Sequence, residues 1–146
     1  MRKIIILIII TSFTSCYFGA NESGGKIIKN FYLIGWDEKD WQIVHSLNNE
    51  IYEPEKIIIQ HDVFAVGHNK DFIIAKQHPC QDSELHIIDF DSLKVNKSIT
   101  NYYIIEIHKN SYQLHNYVNL NEFKKGKLKL GVPENLDYKF YDKTLE

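Results

Sequence analysis

The chain has 146 residues, of which 44% are apolar, 13% aromatic and 25% charged, which is typical of one globular domain and excludes an intrinsically disordered chain. Its net charge of −2 excludes the strongly basic surface with which proteins bind nucleic acid, so no nucleic-acid partner is predicted. With only two cysteines, one of them near the N-terminus, a disulfide framework is not expected.

The N-terminal segment has the order of an export signal. Arg2 and Lys3 precede seven consecutive large aliphatic residues at positions 4–10, and mostly small or hydroxylated residues lead from there to Cys16. The apolar run is too short for a membrane-spanning helix, which needs about 20 residues. We therefore predict that residues 1–15 are a cleaved signal peptide.

Residues 13–16 resemble the lipobox of bacterial lipoproteins, with Phe13 where leucine is usual. The resemblance implies a diacylglyceryl group on the thiol of Cys16, cleavage after Ser15 and acylation of the new N-terminus. Because several acyl chains anchor a protein more durably than one, the expected location is extracytoplasmic, held to a membrane of the bacterial cell envelope by lipid on Cys16. The alternatives are a plain secretory signal with an incidental cysteine, or a buried N-terminal strand.

The rest of the chain divides into a tether and a domain. Residues 16–25 are rich in glycine, asparagine and serine, which is typical of a flexible tether, and residues 26–146 form a single predicted globular domain. Short runs of isoleucine, valine, tyrosine and phenylalanine between turn residues indicate β-strands. The predicted strands are residues 26–35, 41–46, 57–67, 72–78, 85–90, 101–108, 112–118 and 137–141.

Three of these segments carry clear patterns. Residues 57–67 and 72–78 are nearly continuous in apolar side chains around a turn that contains asparagine, which indicates a central hairpin covered on both faces. Within 101–108 the side chains alternate, so that the odd-numbered positions 103–107 are predicted to share one face.

One helix is predicted near the C-terminus. Asn119 followed three residues later by Glu122 resembles a capping box, while Gly131 and Pro133 are suited to ending the helix. The predicted fold class is therefore α+β, an antiparallel β-sheet with one C-terminal helix.

Residues 63–79, 99–105, and 122–123 with 130–133 resemble a family of small bacterial lipoproteins known as a domain of unknown function. The similarity covers most of the mature chain. It supports the predicted compartment and fold. The family supplies no active residues that could be carried over to this chain.

No catalytic signature is present in the sequence. The serine-hydrolase elbow, glycine-rich phosphate loops and dinucleotide fingerprints are absent, so we predict no catalytic residues, no cofactor and no enzymatic activity. His78 and Cys80, with His61 or His86 added, could suggest zinc, but they lack the spacing of paired zinc ligands. No metal site is predicted.

Aromatic residues are the main candidates for recognition. The chain has nine tyrosines, eight phenylalanines and two tryptophans, and such rings are enriched at binding surfaces. Trp36, Trp41 and Tyr102 are the predicted binding surface. We expect a membrane-tethered binding or accessory module with a protein partner in the envelope.

Two other functions remain open from the sequence. The first is an envelope enzyme, a hydrolase that uses Asp62, His68, Lys76 and His78, because alternation places Lys76 and His78 on one face of their strand. The second is a toxin-immunity protein that blocks a toxin arriving from a neighbouring cell.

Overall fold

The computed structural model describes residues 24–35, 40–48, 56–80 and 94–141. These residues form two antiparallel sheets and one helix, which confirms the predicted α+β class. In chain order the elements are β1 (Gly24–Ile28), β2 (Phe31–Ile34), β3 (Gln42–His45), β4 (Lys56–Ile59), β5 (Val63–His68), β6 (Phe72–Gln77), β7 (Asn101–Ile107), β8 (Tyr112–Tyr117), α1 (Leu120–Leu130) and β9 (Lys139–Phe140).

Some predicted segments lie outside the described residues. These are the signal peptide at 1–15, most of the tether at 16–25 and the strand at 85–90. Within the described ranges, no helix has the length and hydropathy needed to cross a bilayer.

The first sheet has the strand order β1-β2-β3-β4, and its first two strands form a hairpin. The prediction of one strand over 26–35 is therefore wrong, because the chain reverses at Lys29 and Asn30. Lys29 has a φ of 49°, a left-handed conformation that allows so tight a reversal. Asn30 interrupts the apolar alternation and is a residue type that favours turns.

The predicted strand over 57–67 also consists of two strands, and they belong to different sheets. β4 pairs with β3 in the first sheet, whereas β5 pairs with β6 in the second. The polar residues 60–62 form the corner between them, where Nδ1 of His61 lies 2.9 Å from the carbonyl oxygen of Asp40. Such corners allow one chain to contribute strands to two packed sheets.

The second sheet has the strand order β8-β7-β6-β5-β9. The predicted central hairpin is confirmed in β5 and β6, which lie inside this sheet. The predicted strand at 137–141 is present as β9, which pairs with Ala65 and Val66 of β5. The predicted strands at 101–108 and 112–118 are present as β7 and β8, which pair with each other.

The second sheet is covered on both faces. One face packs against the first sheet, and there the side chains of Tyr103, Ile105 and Ile107 join the inter-sheet core. On the opposite face, Ile104 packs with Phe123 of α1 in a second core. This arrangement confirms the alternation predicted for β7.

The caps of α1 are those predicted. The side chain of Asn119 accepts a hydrogen bond from the backbone N–H of Glu122 at 2.9 Å, which satisfies one of the N–H groups left unpaired at a helix start. Gly131 follows the last turn with a φ of 73°, and its N–H donates to the carbonyl of Leu128.

Candidate functional site

A cleft of about 390 Å³ opens at one end of the two-sheet core. Its lining comes from the β1–β2 turn and the start of β2, from β3 and the residues after it, and from the end of β7 through the β7–β8 turn. The volume lies in the range typical of small-molecule sites, roughly 300–1,000 Å³. The cleft lies at the Ile28 end of β1, whereas residues 1–23 join that strand at Gly24.

Three aromatic rings form the wall of the cleft. Phe31 and His45 are paired residues of β2 and β3, and their ring centroids are 5.1 Å apart. Tyr112 of β8 lies 5.3 Å from Phe31 and 5.2 Å from His45. Because the rings come from both sheets and pack edge to face or tilted, the packing of the sheets itself holds this wall in place.

Backbone hydrogen bonds fix the segments around these rings. The amide of Ser46 donates to the carbonyl of Asn30 at 2.9 Å, which joins the end of β3 to the β1–β2 turn. The amide of His108 donates to the carbonyl of Ser111 at 2.9 Å, which closes the β7–β8 turn. The cleft is therefore formed before any ligand binds, as is usual for ligand sites.

The predicted binding residues are placed apart. Trp41 packs on the inter-sheet core, 5.3 Å from the ring of Tyr141, and its buried Nε1 has no hydrogen-bond partner among the described residues. Tyr102 lies on the other face of the second sheet, stacked 5.2 Å from Phe123 of α1. Trp36 is outside the described residues. The structure therefore does not bring Trp41 and Tyr102 into one surface.

The residues of the alternative hydrolase site are also only partly together. Asp62 and His78 are buried and exchange backbone hydrogen bonds of 3.2 and 3.0 Å. His68 is exposed at the far end of β5, about 20 Å along the strand from Asp62 at roughly 3.3 Å per residue. Nζ of Lys76 lies 4.4 Å from the ring centroid of Tyr138, just before β9. His68 is thus separated from the other three.

His78 has a defined tautomer. Its Nδ1 lies 2.8 Å from the carbonyl oxygen of Ile99, and because a carbonyl only accepts, Nδ1 must carry the proton. The ring stacks on Phe64 with centroids 4.2 Å apart. Nε2 is buried and has no hydrogen-bond partner among the described residues. No three His, Cys, Asp or Glu side chains in the described ranges are grouped so that they could hold a metal ion.

Burial shifts the pKa values of two side chains that contact each other, Lys76 and Tyr138. It lowers the pKa of the Lys76 ammonium, and it raises the pKa of the Tyr138 phenol, with a smaller contribution from the nearby Tyr102. The folded protein therefore keeps the Tyr138 proton above about pH 10, where an unfolded tyrosine releases it. The free energy of unfolding therefore does not depend on the Tyr138 proton below about pH 10, and it falls as the pH rises from there through the folded pKa.

Tyr138→Phe is expected to stabilise the protein. The Tyr138 hydroxyl is buried without a partner among the described residues, so its removal should raise the free energy of unfolding by about 1 kcal/mol at pH 7. The loss of stability above about pH 10 should also become shallower in the variant. Urea unfolding at several pH values measures both effects. A destabilised variant with an unchanged alkaline slope would contradict the assignment.

The fold and cleft define a class: a two-sheet α+β domain with a preformed cleft of ligand size. The model of one family, described as "Protein of unknown function (DUF3997)", matches residues 28–144, so the chain belongs to this family. Comparison with curated proteins and with solved structures gives no significant match.

The residues of the cleft were not singled out by the sequence. Phe31, His45 and Tyr112 lie on three strands, two in one sheet and one in the other. No spacing motif joins them. The aromatic excess indicated a recognition surface, but strand pairing and sheet packing decide which rings meet.

Proposed function

We propose that this chain is a lipid-anchored protein of the bacterial cell envelope and that its domain is a non-enzymatic binding module. The observation that carries the proposal is the preformed, ring-lined cleft at the end of β1 opposite the tether. A ligand or a projecting part of an envelope protein would bind there. The cleft offers an apolar wall with polar and cationic residues around it, which is the usual make-up of a binding site.

The order of residues before the domain supports the anchor. Two basic residues, an apolar run and a short stretch of mostly small or hydroxylated residues lead to Cys16. From Cys16 to Gly24 the chain could extend about 27 Å at roughly 3.4 Å per residue. A domain attached through Gly24 has its cleft at the other end of β1, where membrane lipid would not block it.

Mass spectrometry of the mature N-terminal peptide tests the anchor. We expect Cys16 at the N-terminus, carrying the mass of a diacylglyceryl group and an amide-linked acyl chain. Cys16→Ala should lack both and should be extracted from membranes under conditions that retain the wild type. An exported protein with an unmodified Cys16 would contradict the anchor.

A fragment screen tests the cleft. Leu47 lines the cleft and is 59% exposed, so Leu47→Trp should fill the mouth without disturbing the core. Leu128, which is 73% exposed on α1, gives the matched control Leu128→Trp. Ligand-observed NMR of full-length protein with small neutral and charged aromatic fragments should give contacts that Leu47→Trp abolishes and Leu128→Trp retains. Contacts that survive in Leu47→Trp would place binding elsewhere.

A further inference from the structure

The charged side chains among the described residues that line the cleft are lysines. Lys29 and Lys109 are among its lining residues, and the ammonium of Lys56 lies 6.0 Å from the centroid of the Tyr112 ring on its wall. Among the described residues that line the cleft, none is acidic. The formal charges among the described lining residues are therefore those of two lysines, which attract an anion. A cleft with apolar walls focuses such a field on its contents.

The apolar wall restricts what else the ligand contains. Leu47, which is 59% exposed, and the half-buried ring of Tyr112 are the apolar surface that the cleft presents, and the buried Phe31 and Ile107 support the Tyr112 ring. An inorganic ion would leave this wall in contact with water. An apolar group would cover it and gain the free energy of removing apolar surface from water. Nucleic acid would require a longer basic surface than one cleft provides.

We infer that the cleft binds a small organic anion, whose carboxylate or phosphate lies among the cations and whose apolar ring or short chain lies against the aromatic wall. Asn30, Asn110 and Ser111 line the same cleft and have side-chain donors for the anionic group. The inference rests on the proposed function and names the ligand class of the same cleft. A free organic acid has this chemistry, and so does the C-terminal carboxylate of a protein that ends in an apolar residue.

The test compares acids with their neutral amides. The probes are 3-phenylpropionate and 3-phenylpropionamide for the free acid, and a tetrapeptide ending in phenylalanine, with and without C-terminal amidation, for the protein terminus. Binding to full-length lipidated protein in detergent micelles is measured by isothermal titration calorimetry. We expect at least one acid to bind about tenfold more tightly than its amide, because the amide lacks charge-assisted hydrogen bonds.

Single substitutions locate the effect. Lys29→Gln and Lys109→Gln should each weaken binding of the acid by up to about fivefold and leave binding of the amide unchanged. Lys125 is exposed on α1 and does not line the cleft, so Lys125→Gln is the control and should change neither. Raising the salt concentration should weaken binding of the acid and leave binding of the amide unchanged, because salt screens exposed charges.

The outcomes separate this inference from the proposed function. If only one of the two acids binds tightly, the result also identifies the source of the anion. Binding of 3-phenylpropionate indicates a free acid, and binding of the tetrapeptide indicates a protein terminus. Equal affinity of acid and amide, lost in Leu47→Trp, would overturn the anionic class while binding at the cleft stands. Inorganic phosphate that binds as tightly as the acid would overturn the role of the apolar wall. If every probe binds the wild type no more tightly than it binds Leu47→Trp, the inference fails. The fragment screen then decides whether the cleft binds any ligand.

Discussion

Gln77→Leu is expected to lower the free energy of unfolding by about 3 kcal/mol, because it removes four hydrogen bonds of a buried side chain. The Gln77 side chain is only 6% exposed. Its Nε2 donates to the carbonyls of Gln60 and His61 at 2.9 and 2.6 Å. Its Oε1 accepts from the hydroxyl of Tyr103 at 2.7 Å and from Nδ2 of Asn101 at 3.3 Å. One side chain thus joins the β4–β5 corner to two strands of the second sheet.

Tyr103→Phe is the matched control for Gln77→Leu. It removes one hydrogen bond of the same group and leaves the contacts of Gln77 with the corner, so we expect a loss of about 1 kcal/mol. Urea unfolding followed by tryptophan fluorescence and by circular dichroism gives both values. If Gln77→Leu costs no more than Tyr103→Phe, the network does not hold the corner in place.

Gly67→Ala is expected to cost about 3 kcal/mol, at the upper end of the range for overpacking. A Cβ on Gly67 would lie 2.3 Å from the carbonyl oxygen of Asp137 and 3.1 Å from Cγ1 of Ile74. The first contact is with backbone, which cannot move aside as a side chain could. Because Asp137 lies only two residues before the start of β9, relief of the clash should displace β9 from β5.

Hydrogen exchange tests this displacement. The amide of Tyr141 donates to the carbonyl of Phe64 at 2.8 Å and should lose its protection in Gly67→Ala. Gly25→Ala is the control, because a Cβ on Gly25 would have no heavy atom within 4 Å, so its stability should stay within about 0.5 kcal/mol of the wild type. Full stability and a protected Tyr141 amide in Gly67→Ala would contradict the close packing of β9.

The sequence correctly predicted the elements whose form depends on residues close together in the chain. The alternation in β7 reflects two buried faces, and Asn119 and Gly131 satisfy the backbone groups at the two ends of α1. The two wrong strand predictions have a different cause. Residues 26–35 and 57–67 are apolar on both sides of a short break, and only long-range pairing decides whether the chain continues, reverses or changes sheet there.

The cleft could not be predicted from short sequence patterns, because its residues come from segments that are far apart in the chain. Phe31 meets His45 through the register of β2 and β3, and both meet Tyr112 through the packing of the two sheets. Tyr102 was predicted as a binding residue from its aromatic type, yet its ring is stacked on Phe123 of α1. The aromatic residue type indicated that Tyr102 makes an interaction, but the tertiary packing determined that its partner is Phe123.

Photocross-linking in intact cells tests the central claim, that the cleft is the binding site of an anchored domain, most directly. A benzophenone amino acid is placed at position 47, at the mouth of the cleft, or at position 128, on the exposed side of α1. We expect a discrete adduct from position 47 in the membrane fraction and none from position 128. An adduct from position 128, with none from position 47, would contradict it.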